Sequence, residues 1–233
     1  MASTIKDVEK MTGYSLSTIS KYINGGNLRE ANRIKIKEAV DKLGFVPNSI
    51  AKGLRSNQSY TIGILLPTLN SIFSMRIASA IERTLEKFGY STILCDCNDD
   101  SNIAKKKLQF LMTKQIDGVI ILPSSLSGNF VKEVINDTIP VVCIDRKFDD
   151  FDCDCILVDN QTAAKKATLM LLEKTDNVAL ICGNDVYTAR ERQLGYLSAL
   201  EDTNKIINKN LIKYGNNTVS GGYEQMLELW KQE

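Results

Sequence analysis

Between residues 15 and 24, side chains able to hydrogen-bond outward crowd together: Ser15, Ser17, Thr18, Lys21 and Asn24. Ser15 is a good helix N-cap, and Leu16, Ile19 and Ile23 recur at spacings of three and four, which predicts a helix stopped by Asn24-Gly25-Gly26. An earlier helix is predicted from Thr4 and Asp7, spaced as in a capping box, through an apolar stripe of Ile5, Val8 and Met11 to Gly13. Two helices joined by Gly13-Tyr14-Ser15 have helix-turn-helix spacing, in which the second helix enters the major groove of DNA and its first residues meet base edges. On that geometry Ser15 and Thr18 can donate to phosphates beside the helix N-terminus, where the dipole also favours an anion. Leu16, Ser17 and Lys21 then fall on the outward face. A helix pair in an ordinary bundle has the same spacing, so the motif alone leaves both readings open.

The elements that must position these groups follow from the apolar pattern. A third helix is predicted over residues 30–43, with Ile34, Ile36, Ala39, Val40 and Leu43 facing inward and Gly44 closing it. Three helices this short bury little, so the head is expected to be marginal by itself. After a connector at Phe45-Val46-Pro47-Asn48 the period changes. Strands are predicted at 61–66, 91–95, 118–122, 141–144, 155–158, 178–181 and, weakly, 210–214. Helices are predicted at 73–88, 102–114, 129–137, 161–173, 190–200 and 221–232. Alternating strand and helix with nearly continuous apolar strands predicts a doubly wound parallel sheet.

Composition narrows the chemistry. The 233 residues carry a net charge of +1, but residues 1–60 hold ten Lys and Arg against five Asp and Glu, and the remainder nineteen against twenty-three. A basic head on a mildly acidic body points to a polyanion at one end only. With no histidine, a His-based triad, a His-ligated metal and an imidazole general base are all excluded. The apolar runs are too short to span a bilayer and the N-terminus opens on polar residues, so neither membrane insertion nor secretion is expected. The six cysteines, Cys95, Cys97, Cys143, Cys153, Cys155 and Cys182, sit in or beside apolar runs and are expected to be reduced, buried thiols. The two Cys-x-Cys pairs lack Cys-x-x-Cys spacing, so neither a metal site nor a cofactor is expected.

Ligands of doubly wound sheets lie beyond the carboxyl ends of the strands. In this chain those positions are residues 68–73, beginning at Thr68, then Ser124 and Ser125, Asp145 and Arg146, and residues 185–190. No Gly-x-Gly-x-x-Gly or Walker loop follows the first strand, which argues against a nucleotide site.

The run Thr4-Ile5-Lys6-Asp7-Val8, Ser15 to Lys21, Asn24-Gly25, Leu43-Gly44-Phe45, Pro47-Asn48, Ala51 and Leu54-Arg55-Ser56 resembles the lactose/galactose repressor family. The resemblance continues through Thr61-Ile62-Gly63, Asp117-Gly118, Ile139 to Val142, Ile144-Asp145-Arg146, Val158-Asp159-Asn160 and Ala189 to Tyr196, and so covers essentially the whole chain. It implies a helix-turn-helix DNA-binding domain over residues 1–46 and a hinge helix and linker over 47–59. A body like the periplasmic sugar-binding proteins follows, with one effector subdomain over 60–160 and part of a second over 161–233.

The same resemblance implies roles. Leu16, Ser17 and Lys21 read bases, while Thr4, Ser15, Thr18 and Asn24 hold phosphates. The hinge helix, from Asn48 to Ser56 and including Arg55, forms on operator DNA, with Ala51 near its mate in the other subunit and Leu54 wedged between base pairs in the minor groove. Asp145 and Arg190 are polar clamps on a small effector, a sugar or nucleobase, and Phe73 is an apolar wall. Two departures stand out: Arg29 replaces the usual serine cap of the third helix, and Asn70-Ser71-Ile72-Phe73-Ser74 differs from the family's usual wall.

The leading expectation is therefore a cytoplasmic, homodimeric regulator, a repressor, that binds double-stranded operator DNA and catalyses nothing. The alternatives are a cytosolic sugar-binding protein with no regulatory activity and a repressor that no longer senses. Family members run on well past this length, so the chain reads as cut short, with residues beyond about Asn160 expected to be loosely ordered. An enzyme on the same fold is the remaining class, disfavoured by the missing histidine and phosphate loop.

Overall fold

Helices α1 (Ile5–Thr12), α2 (Leu16–Ile23) and α3 (Glu30–Leu43) form the N-terminal unit. The computed structural model describes residues 3–46, 58–122, 126–183, 187–216 and 218–231, and the chain divides into two units after Ser59. Gly13 takes the left-handed conformation, φ 73°, that ends α1 and turns the chain directly into Ser15, the cap of α2. Val8, Ile19, Ile36, Ala39 and Phe45 are the buried core of this unit, and Ile5, Tyr14, Ile23, Val40 and Leu43 pack around them.

Two residues expected inside lie outside. Met11 is 40% exposed, because the buried side of α1 runs through Val8 and Thr12, whose hydroxyl donates to the Val8 carbonyl at 2.8 Å. Ile34 is 50% exposed, since it stands two residues before the buried Ile36 and thus about 200° around the helix.

The second unit carries a five-stranded sheet of β1 (Thr61–Leu66), β2 (Ser91–Asp96), β3 (Gly118–Ile121), β4 (Val141–Ile144) and β5 (Asp154–Ile156). Its order is β2-β1-β3-β4-β5 and every pairing is parallel. Helices α4 (Ile72–Lys87), α5 (Ser101–Thr113) and α6 (Gly128–Ile135) make the crossovers. The last four residues of β1 are all buried. Leu65 belongs to the core with Leu108, Leu111, Val119 and Val131, whereas Ile64 and Leu66 belong to the opposite one with Ala78 of α4. This is the doubly wound sheet the alternation predicts.

Beyond it come α7 (Asn160–Leu172), β6 (Leu180–Cys182), α8 (Tyr187–Asp202), β7 (Ile212–Tyr214) and α9 (Val219–Trp230). Strands β6 and β7 pair in parallel as a separate two-stranded sheet. Helices α7 and α8 pack closely at Gly195, where a methyl group would run into the Gln161 carbonyl and come within 2.9 Å of the Lys165 nitrogen.

Several boundaries differ from expectation for local reasons. β6 starts two residues late because the Val178 carbonyl accepts from the buried Tyr196 hydroxyl at 2.8 Å rather than from a ladder partner. β5 stops at Ile156 because the Val158 carbonyl is taken by the Asn160 backbone at 2.8 Å and by its side chain at 3.1 Å. Residues Lys209–Leu211 form a 3-10 turn rather than strand, capped by the Asn208 side chain on the Asn210 nitrogen. Among the described residues no helix is long and apolar enough to cross a membrane.

The region after Asn160 has regular elements but a small core of Val178, Tyr196 and Leu200. Its last helix leaves Tyr223, Met226, Leu227 and Trp230 exposed, and among the described residues of α9 only Gly221 is buried. A two-stranded sheet over so few buried groups opens easily. Amide hydrogen exchange should find Leu180–Cys182 at least about tenfold less protected than Ile64–Leu66. Equal protection would contradict this reading of the second sheet.

Candidate nucleic-acid interface and effector site

Helix α2 buries Ile19 completely and turns its polar face to solvent. Leu16, Ser17, Ser20, Lys21 and Asn24 line one open groove together with Ile5 of α1. Their spacing, i, i+1, i+4, i+5 and i+8, is that of one helix face. The structure therefore brings together the three expected base readers, Leu16, Ser17 and Lys21, and adds Ser20, which sequence reasoning missed although its position four residues after Leu16 marks it. The Asn24 side chain donates to the Ser20 carbonyl at 2.8 Å, which fixes it over the end of the helix.

The N-terminus of α2 carries a hydroxyl cluster. Ser15 Oγ accepts from the Thr18 backbone at 3.4 Å and lies 2.9 Å from Ser17 Oγ and 3.0 Å from Thr18 Oγ1. Three hydroxyls at a helix start are suited to an anionic oxygen. Thr4 is held differently: its backbone N–H and its hydroxyl both donate to Asp7 Oδ2, at 2.8 and 2.7 Å. These bonds hold the Asp7 carboxyl below the usual carboxylate range. Arg29 caps α3 with no side-chain bond, consistent with the loss of a serine there. Asn48, Ala51, Leu54 and Arg55 lie outside the described residues.

In the body, Thr68 follows β1, and its hydroxyl accepts from the Asn70 backbone at 3.1 Å. Phe73 opens α4 and is largely exposed, beside a groove lined by Leu69, Asn70, Ile72 and Met75. Ser71 caps that helix through the Ser74 backbone at 3.4 Å. Ser124 and Ser125 lie outside the described residues.

Asp145 stands past β4 in a left-handed conformation, φ 72°, with its N–H on the Ile156 carbonyl at 2.9 Å. Burial pushes its carboxyl up, while the guanidinium groups of Arg146, 3.8 Å away, and Arg192 pull it down. Arg190 pairs instead with Asp149, at 3.4 Å and in a half-exposed position. Residues 190 and 192 lie on different sides of α8, about 200° apart. The geometry thus adds Arg192, whose Nε donates at 2.8 Å to the side-chain oxygen of the buried Asn160.

Three cysteines separated in sequence also meet: the sulfurs of Cys143, Cys153 and Cys155 all lie within 4.8 Å of one another. Cys155 is exposed and Cys153 half-buried, a departure from the expectation of buried thiols.

Residues 4–48 match the family described as bacterial regulatory proteins, lacI family. Residues 59–233 match the periplasmic binding proteins and sugar binding domain of the LacI family. The chain belongs to the LacI family. It is 30% identical over 222 residues to the probable HTH-type transcriptional regulator EndR of Paenibacillus polymyxa, covering 92% of this chain and 65% of that protein. Over 226 residues it is 30% identical to catabolite control protein A of Staphylococcus xylosus, covering 95% of this chain and 68% of that one. The chain thus spans about two thirds of the length of these LacI-family relatives. The fold matches a crystal structure of the lac repressor dimer bound to operator and the anti-inducer ONPF, with a TM-score of 0.81 at 21% identity, over 100% of this chain and 71% of that one.

The Asp7 cap of this LacI-type head has a definite pH signature. Its folded pKa lies below the unfolded value, so the stability it supplies is present above the unfolded pKa and is lost as pH falls through the folded one. Asp7→Ala should lower the melting temperature at neutral pH, and parent and variant should converge in acid. A difference that stays constant across the titration would mean that the carboxylate is not the cap.

Proposed function

We propose that this LacI-family chain is a transcriptional regulator acting as a repressor, which binds double-stranded operator DNA as a homodimer in the cytoplasm and catalyses no reaction. The observation that carries this is the outward groove of α2, where Leu16, Ser17, Ser20, Lys21 and Asn24 share one face above a hydroxyl-lined helix start. Such a face presents polar groups and an apolar contact on an α-helix, the element a major groove admits. Family membership and the net positive charge of residues 1–60 support the same reading.

The chain's roles divide by segment in this proposal. Residues 1–46 read DNA, 47–59 form the hinge and linker, 60–160 form one effector subdomain and 161–233 contribute to a second. Ser15, Thr18, Thr4 and Asn24 hold phosphates; for Thr4 this requires its hydroxyl to turn away from Asp7. Asn48, Ala51, Leu54 and Arg55 act in the hinge, by resemblance to the family. The effector is a small polar molecule, a sugar or nucleobase, met by Thr68, Phe73, Asp145 and Arg190, with Arg192 added because it faces Asp145. A second reading, in which the head binds DNA while sensing is weak, is favoured by the apolar residues α9 leaves exposed and by the pairing of Arg190 with Asp149. A thermal shift with a panel of sugars and nucleobases separates the two.

Binding to duplex DNA should fall steeply with salt, releasing about six or more ions per dimer. A flat salt dependence would overturn the proposal. In selection from randomised sites, Lys21→Ala should change the preferred bases, whereas Thr18→Ala should weaken all sequences about equally. Leu54→Ala should reduce specific binding far more than non-specific binding, because a wedge repays unstacking only at an easily kinked step. An unchanged consensus for Lys21→Ala, or equal losses for Leu54→Ala, would remove those assignments.

A further inference from the structure

Cys143 of β4 and Cys155 of β5 are register partners in adjacent parallel strands, so their side chains leave the same face of the sheet side by side. Cys153, two residues before Cys155, repeats that direction by the period of an extended chain. Its sulfur lies 3.3 Å from that of Cys143, and the Cys155 thiol donates to the Cys153 carbonyl at 3.3 Å. We propose that Cys143, Cys153 and Cys155 form a binding site for one thiophilic divalent cation of the zinc class, held by three sulfurs with a fourth position open to solvent beside Cys155.

Metal-sulfur bonds of about 2.3 Å place the sulfurs of a tetrahedral site about 3.8 Å apart. The three sulfurs all lie within 4.8 Å of one another, with Cys143 and Cys153 at 3.3 Å, so they are already gathered at about the scale such a site needs. Soft thiolate donors select zinc-class ions over magnesium or calcium.

The loop that delivers Cys153 is built rather than loose. Asp150 caps α6 by accepting from the backbone of Gly128 at 2.8 Å and of Asn129 at 3.1 Å, and from the Ser127 hydroxyl at 2.9 Å. Phe148 is buried, and its ring lies 6.1 Å from that of Phe151. The loop is thus anchored just before Cys153, and the pairing of β5 with β4 holds the chain just after it. Asp152 and Asp154 flank Cys153 and add negative charge around the site.

Burial pushes the Cys143 thiol above its ordinary value, and that of Cys155 as well. Without a cation those two thiols are therefore held protonated and are poor nucleophiles. On binding, each S–H bond breaks heterolytically, the electron pair stays on sulfur to form the bond to metal, and the proton passes to solvent. No oxidant or reductant takes part. The bound ion would tie the edge strand β5 to β4, two residues before Asp145.

The test uses the full chain, kept reduced by a phosphine and titrated with Co²⁺ alone. One equivalent should bind with a sulfur-to-cobalt charge-transfer band, and Zn²⁺ should displace it and raise the melting temperature. Cys153→Ser/Cys155→Ser leaves the buried Cys143 in place, and its folding is checked by circular dichroism. The band and the thermal shift should both be lost. Absence of the band in the parent, or its persistence in the double variant through Cys95, Cys97 or Cys182, would overturn the site. So would a parent that binds no cobalt and only forms a Cys143–Cys153 disulfide in air.

Discussion

Strand β1 is an interior strand of its sheet with both faces apolar, and that burial organises the body around it. Leu65 must be covered from one side and Ile64 and Leu66 from the other. Helices returning over both faces do this for the first four strands, whose connections are crossovers and whose pairings are parallel. At Gly63 the packing is closer still: a Cβ would come within 2.9 Å of Leu111 and Ile116 side chains. Because all strands then point one way, the chain leaves the sheet at a single edge after β1, β3 and β4. Thr68 and Asp145 share that edge although 77 residues separate them in sequence.

The head solves a different problem with far less apolar surface. Its core of five buried side chains sits between the three helices, so the far side of α2 has no packing duty and can be polar. With so small a core, the ends of the helices carry weight. The Ser15 cap, worth about 1 kcal/mol, matters more here than it would in the body. The same groups that cap also point their remaining hydrogen-bonding capacity at the place where an anion would dock. In the proposed function, stability and recognition draw on the same few hydroxyls.

Elements whose apolar period is carried by several residues were legible in the sequence. The three head helices, β1 and β4 fall where Ile and Val spacing puts them, and the helix-turn-helix face follows from them. What escaped depends on contacts between distant segments. The inward face of α3 could not be told to include Ile36 and not Ile34 without knowing where α1 crosses. The start of β6 turns on the Tyr196 hydroxyl, which bonds the Val178 carbonyl eighteen residues away. Arg190 and Arg192 are equivalent as letters, and only the rotation of α8 sends one to Asp149 and the other toward Asp145 and Asn160. The three-thiol cluster was invisible for the same reason. Linear Cys spacing describes Cys153 and Cys155 but says nothing of Cys143, which the β4–β5 register supplies.

These distant contacts converge on one stretch of chain. Asn160 is buried and uses both ends of its amide, donating to the Val158 carbonyl and accepting from Arg192. It therefore joins the segment leaving β5 to α8, and α8 in turn is pressed against α7 at Gly195. Asp145 is bonded through its backbone to Ile156 at the end of the same strand. A buried amide cannot give up one partner without leaving a polar group unsatisfied, which costs about 1–3 kcal/mol. The edge strand, the crossover after it and α8 are thus linked by bonds that are costly to break singly. A ligand that drew Arg192 toward Asp145 would have to offer Asn160 a replacement or move the crossover with it. In this fold the segment leaving β5 and helix α8 are tied together through that one side chain.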